Sequence, residues 1–451
     1  MGKNNQSTLT LTKSYQVGER QYSYDNLTYH KIAIVGLGYV GLPLAIAVAE
    51  KGFDVIGYDI DRAKVQQLQK REGSFLSAEE QAVFASTDFK ISSRFDDVRG
   101  ADIFFICVPT PVNEDHTPDL SPLVGAIRTI APALRHGSLV VVESSINPGV
   151  SDDILIPILE FESDLMVERD FFLVYCPERV NPGDNYYHTK NIPRVIGGAG
   201  PQSLKRGLQV YESILDADMT AMSSLKEAEA VKMVENSFRD VNIAFVNELA
   251  MAFDRQGIDV KNVIEAAATK PFGFMPHYPG CGVGGHCIPV DPYYLIHDGL
   301  KHGFTHHMLI AARETNNYMP RYAVKLLHEA LYFKERTLRD TPIALLGLSY
   351  KKGVGDVRES PALTIYDLLQ ADSASVRTYD PYVPELSTDN SLEDAIKGAK
   401  AVIVATDHDE FSSLTPFYLE EQGVEVVIDG RNFLDKQAFL DSEVSYRGIG
   451  R

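Results

Sequence analysis

The chain is poor in cysteine, short of positive charge, and without an apolar run long enough to cross a membrane. Each shortage excludes something. Four cysteines in 451 residues, Cys107, Cys176, Cys281 and Cys287, make no disulfide framework and fit a reducing compartment. Cys281 and Cys287 stand among glycines, and no second Cys/His pair follows at zinc-ligand spacing, so no metal site is expected. Lysine and arginine number 43 against 62 aspartates and glutamates, a formal net charge of -19. That balance argues against a general nucleic-acid or anionic-membrane binder, while a local basic pocket for one phosphorylated ligand remains compatible with it. Residues 1–29 are polar and lack the apolar core of a signal peptide, so they are read as an accessory extension and a cytoplasmic location is expected.

The rest is ordinary globular sequence, 44% hydrophobic and 23% charged, and long enough for two or three domains. The apolar run 31–35 opens into Gly36-Leu37-Gly38-Tyr39-Val40-Gly41 and an alanine-rich segment, and a second apolar run, 53–58, stops at Asp59. Strand, glycine turn, helix and strand in that order predict a parallel sheet. Further strands are expected at 102–108, 138–142 and 172–176, with helix at 122–134. From 225 to 256 there is neither glycine nor proline, and Val231, Val234, Phe238, Val241, Phe245 and Leu249 recur at helical spacing. Gly257 supplies a stop. Such a helix serves as a spine between domains, a dimer seam, or a buried helix of one domain. A second α/β unit is read from strands at 343–346, 376–379, 401–405 and 424–428, with Ser360-Pro361 starting a helix. The fold class expected is α/β, two Rossmann-like parallel-sheet domains joined by a long central helix. The divisions are 1–29, 30–215, 216–325 and 326–451, and two such halves suggest two ligands meeting at a cleft.

A GxGxxG turn alone is weak evidence, but this one follows a strand, opens a helix and is answered by Asp59 at the end of the next strand. Gly36 permits the tight turn, Gly38 lets a pyrophosphate approach, and Gly41 allows close helix–strand packing. The helix N-terminus offers N–H groups to phosphate. Asp59 would accept from a ribose and repel a 2′-phosphate, favouring NAD over NADP. Pro109, Thr110 and Ser145 end strands on the same expected sheet edge.

The segment Pro279-Gly-Cys281-Gly-Val-Gly284-Gly-His286-Cys287-Ile-Pro-Val290-Asp291 can present a thiol from a loop with little side chain to shield it. Cys281 is the rival nucleophile, without the carboxylate four residues on that Cys287 has in Asp291. The residues alone leave an inert, buried cysteine as good a reading. Lys232 and Asn236 are four apart, with Arg239 one turn on. A cation beside an amide suits an oxyanion, and a solvated polar stripe is the plainer alternative.

The glycine turn, Tyr175-Cys-Pro-Glu178-Arg179-Val-Asn-Pro182-Gly183, the Lys232/Asn236 helix and the Cys287 loop resemble, in order and identity, the UDP-glucose/GDP-mannose dehydrogenase family over residues 31–451. The resemblance implies an NAD domain, a central helical dimerisation region and a C-terminal domain for the sugar nucleotide. It implies a four-electron oxidation of the sugar's C6 alcohol to a carboxylate through a thiohemiacetal and a thioester on Cys287, serving surface-polysaccharide synthesis. Lys232 and Asn236 would steady the oxyanion, Asp291 would hold Lys232 or water, and Glu178 would act as base in hydrolysis. The NAD set is extended by Tyr39, Val40 and Arg62. Arg179, Arg239, Tyr278, Gly284, Lys351 and Arg358 are the expected substrate contacts, and a homodimer through the central helix is the expected assembly.

Departures from the pattern point to a branch. His286 precedes the cysteine, Val290 precedes Asp291, and Pro182 stands where UDP-glucose enzymes carry a second glutamate. Ser145 replaces a threonine. These resemble enzymes acting on UDP-N-acetylhexosamines, and residues 269–278 look most like UDP-N-acetylglucosamine 6-dehydrogenases. Other epimers, UDP-glucose, a two-electron hydroxyacid dehydrogenase and a non-catalytic NAD-binding scaffold are the alternatives.

Overall fold

The computed structural model describes residues 15–17, 20–22, 29–73, 76, 78–180, 186–372 and 374–451. Pro182 and most of the N-terminal extension lie outside the described residues. Within that extension, strands β1 (Tyr15–Val17) and β2 (Arg20–Tyr22) pair antiparallel. The chain forms two compact units, Met1–Glu235 with Tyr293–His302, and Asn236–Pro292 with Gly303–Arg451.

The first unit is built on an eight-stranded sheet: β3 (Lys31–Val35), β4 (Asp54–Tyr58), β5 (Lys90–Ser92), β6 (Ile103–Ile106), β7 (Leu139–Val142), β8 (Phe172–Tyr175), β9 (Arg194–Gly198) and β10 (Met219–Ala221). Their order is β10-β9-β8-β7-β6-β3-β4-β5. Central strands such as β6 and β7 are apolar at every position and buried throughout, as a sheet covered on both faces requires. Strand order reverses between β3 and β6, the switch point where open α/β sheets take their ligands. The sheet is parallel except at one seam: β9 runs antiparallel to β8. No expectation from sequence covered β9, and its direction matters to the site.

The second unit carries a five-stranded parallel sheet of β11 (Pro342–Leu346), β12 (Ser375–Tyr379), β13 (Ala401–Val404), β14 (Val426–Asp429) and β15 (Ser445–Gly448), ordered β12-β11-β13-β14-β15. Its switch point falls between β11 and β13. The helix Pro361–Ala371 begins as read from Ser360-Pro361, with the Ser360 hydroxyl accepting from Ala362 N–H. The expected long helix spans Leu225–Asp254. It ends where Gly257, at φ 67°, turns the chain and Ile258 N–H closes on Phe253 O at 3.0 Å. A second long helix, His307–Phe333, packs Met319, Ala323, Leu326 and Leu327 into the core of this unit. Pro320 lies inside it, the kind of residue that argues against a helix in sequence. No helix among the described residues is long and apolar enough to cross a membrane.

Candidate active site

In the first unit the glycine turn closes β3 at the switch point. Gly36 has φ 92°, and a Cβ there would lie 2.7 Å from the carbonyl oxygen of Cys107, at the end of β6. A Cβ on Gly41 would fall 1.9 Å from Gly36 O, so the helix Gly41–Glu50 can start this close only with glycine. Gly38 is different: a Cβ would meet no described atom within 4 Å. Packing does not call for glycine at 38, whereas a ligand lying along the backbone would, and the cradle fits a pyrophosphate.

Asp59, 6% exposed at the end of β4, accepts from Leu37 N–H at 2.9 Å and so braces the turn. Lys64 reaches the same carboxylate oxygen at 2.9 Å, a cation that sequence reading passed over. Arg62 is exposed at the start of helix Arg62–Gln69, Tyr39 is exposed and Val40 is partly exposed. On the neighbouring strand ends Pro109 is exposed, and the buried Thr110 hydroxyl donates to Ser145 O at 2.7 Å, tying the ends of β6 and β7 together. Tyr294 donates to Thr110 O from the other side.

Glu178 follows β8 and is largely buried. Its Oε1 accepts from the N–H groups of Arg179 and Val180 at 2.5 and 2.7 Å, and its Oε2 from Arg194 Nη2 at 2.6 Å. Its backbone carbonyl accepts from Lys232 Nζ at 2.5 Å, which fixes the buried ammonium beside it. Arg179 is engaged by Glu235 and by Pro193 O. Behind Glu178, Arg194 also meets Glu143 at 3.3 Å, and Glu143 accepts from Tyr211 at 2.6 Å. Burial pushes the Glu143 carboxyl up against the pull of Arg194. The sequence signal for this cluster was an arginine opening an otherwise apolar strand, a position that demands a buried partner. Burial also raises the thiols of Cys107 and Cys176, the latter to about 12, which leaves both unreactive.

In the second unit the two cysteines of the glycine loop separate cleanly. Cys281 is 2% exposed, its Sγ lies 3.8 Å from Gly430 O, and burial pushes its thiol to about 12. It is a packing residue. Cys287 is partly exposed, the one of four cysteines that is not buried. Its carbonyl accepts from Val290 and Asp291 N–H at 3.1 and 2.8 Å, so the residue stands one turn ahead of helix Asp291–Lys301. Asp291 is buried and accepts the side-chain amide of Asn236 at 2.5 Å.

The preceding residues rest on the segment after β11. Gly285 N–H donates to Arg358 O at 2.9 Å, and a Cβ on Gly284 would lie 2.5 Å from Tyr350 Cβ. Arg358 is paired with the buried Asp356. Burial and the Arg358 charge depress the His286 imidazole, which is therefore neutral near pH 7. Lys351 is partly buried; Arg239 and Tyr278 are exposed. A crevice at the ends of β11, β13 and β14 is lined by Cys281, Ser349, Tyr350, Thr406 and Arg431. Asp380, closing β12, accepts from Leu348 and Ser349 N–H at 2.7 and 2.8 Å and from His408 at 3.1 Å. It repeats in this sheet what Asp59 does for Leu37 in the other. Arg431, Asp380 and His408 had no place in the sequence reading. Among the described residues no group of three His, Cys, Asp or Glu is placed to hold a metal ion.

Comparison with known proteins agrees with this geometry. Profiles of the UDP-glucose/GDP-mannose dehydrogenase family match in three parts: the NAD binding domain over residues 30–215, the central domain over 226–318 and the UDP binding domain over 344–436. The chain is 38% identical over 428 residues to a UDP-N-acetyl-D-mannosamine dehydrogenase of Pyrococcus horikoshii, covering 93% of this chain and 99% of that protein. It is 36% identical over 397 residues to a UDP-N-acetyl-D-glucosamine 6-dehydrogenase of Pseudomonas aeruginosa, covering 85% and 92%. The solved UDP-D-ManNAc dehydrogenase from Pyrococcus horikoshii superposes with a TM-score of 0.87 at 38% identity, over 93% of this chain and 99% of that one. With three family profiles matched in order along the chain and relatives covered almost end to end, the chain belongs to the UDP-glucose/GDP-mannose dehydrogenase family as an NAD-dependent nucleotide-sugar dehydrogenase.

Proposed function

We propose that the protein oxidises the C6 primary alcohol of a UDP-N-acetylhexosamine, UDP-N-acetylglucosamine first among them, to the uronic acid in two two-electron steps, supplying surface-polysaccharide precursors. The observation that carries this reading is Cys287: it alone of the four cysteines is accessible, and it stands on a turn held by Asp291. The glycine turn would hold NAD with Asp59 at its ribose, and NAD would supply the hydride acceptor.

Lys232 and Asn236 stabilise negative charge on the sugar oxygen, first as alkoxide and then in the tetrahedral adduct. Cys287 Sγ adds to the C6 aldehyde, forming a C–S bond, and the oxygen takes up a proton. Loss of a second hydride from carbon and of the hydroxyl proton from that thiohemiacetal leaves a thioester, so the aldehyde is never released. Water then adds to the thioester carbon with Glu178 receiving its proton, the C–S bond breaks, and the electron pair returns to sulfur. Arg239, Lys351 and Arg358 supply charge to the diphosphate, with Arg179, Tyr278 and Gly284 completing the substrate contacts. Arg358 and Arg179 are already paired with Asp356 and Glu235, so a phosphate contact means sharing them.

His286 and Val290 favour an N-acetylhexosamine, and residues 269–278 favour the N-acetylglucosamine epimer. UDP-N-acetylmannosamine is the second reading, favoured by the 38% identity to an enzyme of that name. Incubation with NAD and a panel of UDP-sugars, followed by identification of the acid against epimer standards, decides between them. Production of NADH with UDP-glucose alone would contradict both.

A homodimer through the long helix is part of the proposal. Val234, Phe238 and Phe245 are 60%, 51% and 55% exposed along it, more apolar surface than a solvated helix carries. Phe238→Glu should shift the sedimenting species from dimer to monomer; a wild-type protein that sediments as a monomer sinks the assembly.

A further inference from the structure

We infer that Arg194 is a positioning residue for the hydrolytic step: held from behind by Glu143 and Tyr211, it fixes the carboxylate of Glu178 for attack of water on the Cys287 thioester. The inference rests on the role proposed above for Glu178 and goes beyond it.

Strand direction places the two groups. In the antiparallel pair Val174 faces Gly198 and Tyr175 faces Gly197. Continued past the end of β8, that register sets Arg194 opposite Glu178. Because β9 runs against β8, its first residue lies at the edge where β7 and β8 end, beside Glu143. A β9 parallel to β8 would have put Arg194 at the far edge of the sheet. The guanidinium is fully buried and bridges two carboxylates, Glu178 at 2.6 Å and Glu143 at 3.3 Å. Tyr211, also fully buried, donates to the other oxygen of Glu143.

A fully buried arginine is costly to keep unless its charge is answered and its geometry is used. One carboxylate would answer its charge. The second, Glu178, sits at the rim with its Oε1 on two backbone N–H groups and its Oε2 on Arg194. A carboxylate so fixed on both oxygens is held in one rotamer. A base must be placed to within a fraction of an ångström to act on a water. In the step itself the water oxygen forms a bond to the thioester carbon, its proton passes to Glu178, and the C–S bond breaks with the electron pair going to sulfur. Arg194 exchanges nothing.

The test is the Arg194→Lys variant of the full-length enzyme, with UDP-N-acetylhexosamine and NAD in a rapid-mixing experiment. Lysine keeps the charge and cannot bridge both carboxylates. The expected result is an undiminished first burst of NADH followed by a steady-state rate at least about tenfold lower, with a covalent acyl adduct on the Cys287 peptide by mass spectrometry. Glu143→Gln, which loosens the guanidinium without removing it, covers the case in which the lysine variant does not fold. It should keep the burst and slow hydrolysis about threefold or more. Wild-type steady-state rates in both variants, or burst and steady state falling in proportion with no adduct, would overturn the inference. Glu178→Gln run in parallel separates the two levels: full turnover there removes Glu178 as the base, whatever Arg194 does.

Discussion

The side-chain amide of Asn236 is bonded to the carboxylate of Asp291, and the backbone N–H of Asp291 is bonded to the carbonyl of Cys287 at 2.8 Å. An amide on the long helix and the nucleophile's turn are thus joined through one buried acid. Removing the amide should be felt twice. Asn236→Leu leaves a buried carboxylate short of a donor, a loss of about 1–3 kcal/mol in stability. It also removes an oxyanion donor, which lowers kcat by roughly 10²-fold or more. Thermal unfolding and steady-state NADH production check the pair of effects, and an unchanged kcat would remove Asn236 from the chemistry.

The two loop cysteines make opposite predictions. Iodoacetamide under native conditions should label Cys287 and leave Cys281, Cys107 and Cys176 unmodified, since burial raises those three thiols. Cys287→Ser should lower acid formation by roughly 10³-fold or more, while Cys281→Ser stays within about threefold. Peptide mapping and product assays read both. Labelling at Cys281 would show that the loop opens in a way these contacts do not describe.

The glycine turn offers a contrast between packing and binding. Gly36→Ala places a Cβ against Cys107 O in a left-handed backbone, so it should lower Tm and NAD affinity together. Gly38→Ala meets open space, so Tm without cofactor should match wild type while NAD affinity falls by about tenfold or more. Paired melting curves and NAD titrations suffice. Equal losses of Tm in the two variants would contradict the assignment of Gly38 to the ligand.

Much of this was legible in the sequence, and the reasons are local. The turn Gly36–Gly41, the caps at Ser360-Pro361, and the unbroken helix from 225 are decided by neighbours in the chain. The short strands β5, β9 and β10 are not, because three to five residues of mixed character carry no periodicity of their own. With β9 went its direction, and with that the meeting of Arg194, Glu143 and Glu178, which depends on sheet edges far apart in sequence. Cys281 could not be told from Cys287 by composition; only the fold buries one against Gly430. The anchoring of Asp291 to Asn236 was likewise beyond reach, since the family resemblance gave that acid to Lys232 or a water.

Asp380 gives a prediction in pH. Burial pushes its carboxyl up, but the His408 hydrogen bond and the Ser349 N–H outweigh it and hold it at about 2. A carboxyl depressed on folding adds stability that is present above its unfolded value near 4 and is lost as pH falls towards 2. Asp380→Asn should therefore cost about 2 kcal/mol at pH 7. The gap from wild type should narrow once the pH drops below about 4. Urea unfolding at several pH values checks it; a gap independent of pH would assign the loss to packing.

The most direct measurement is the ratio of NADH formed to acid formed when limiting UDP-N-acetylhexosamine is oxidised to completion by the wild-type enzyme. Capture of the aldehyde by Cys287 requires about two NADH per acid, with no free aldehyde trapped by an added amine. One NADH per substrate, or the same ratio and rate from Cys287→Ser, would contradict the account.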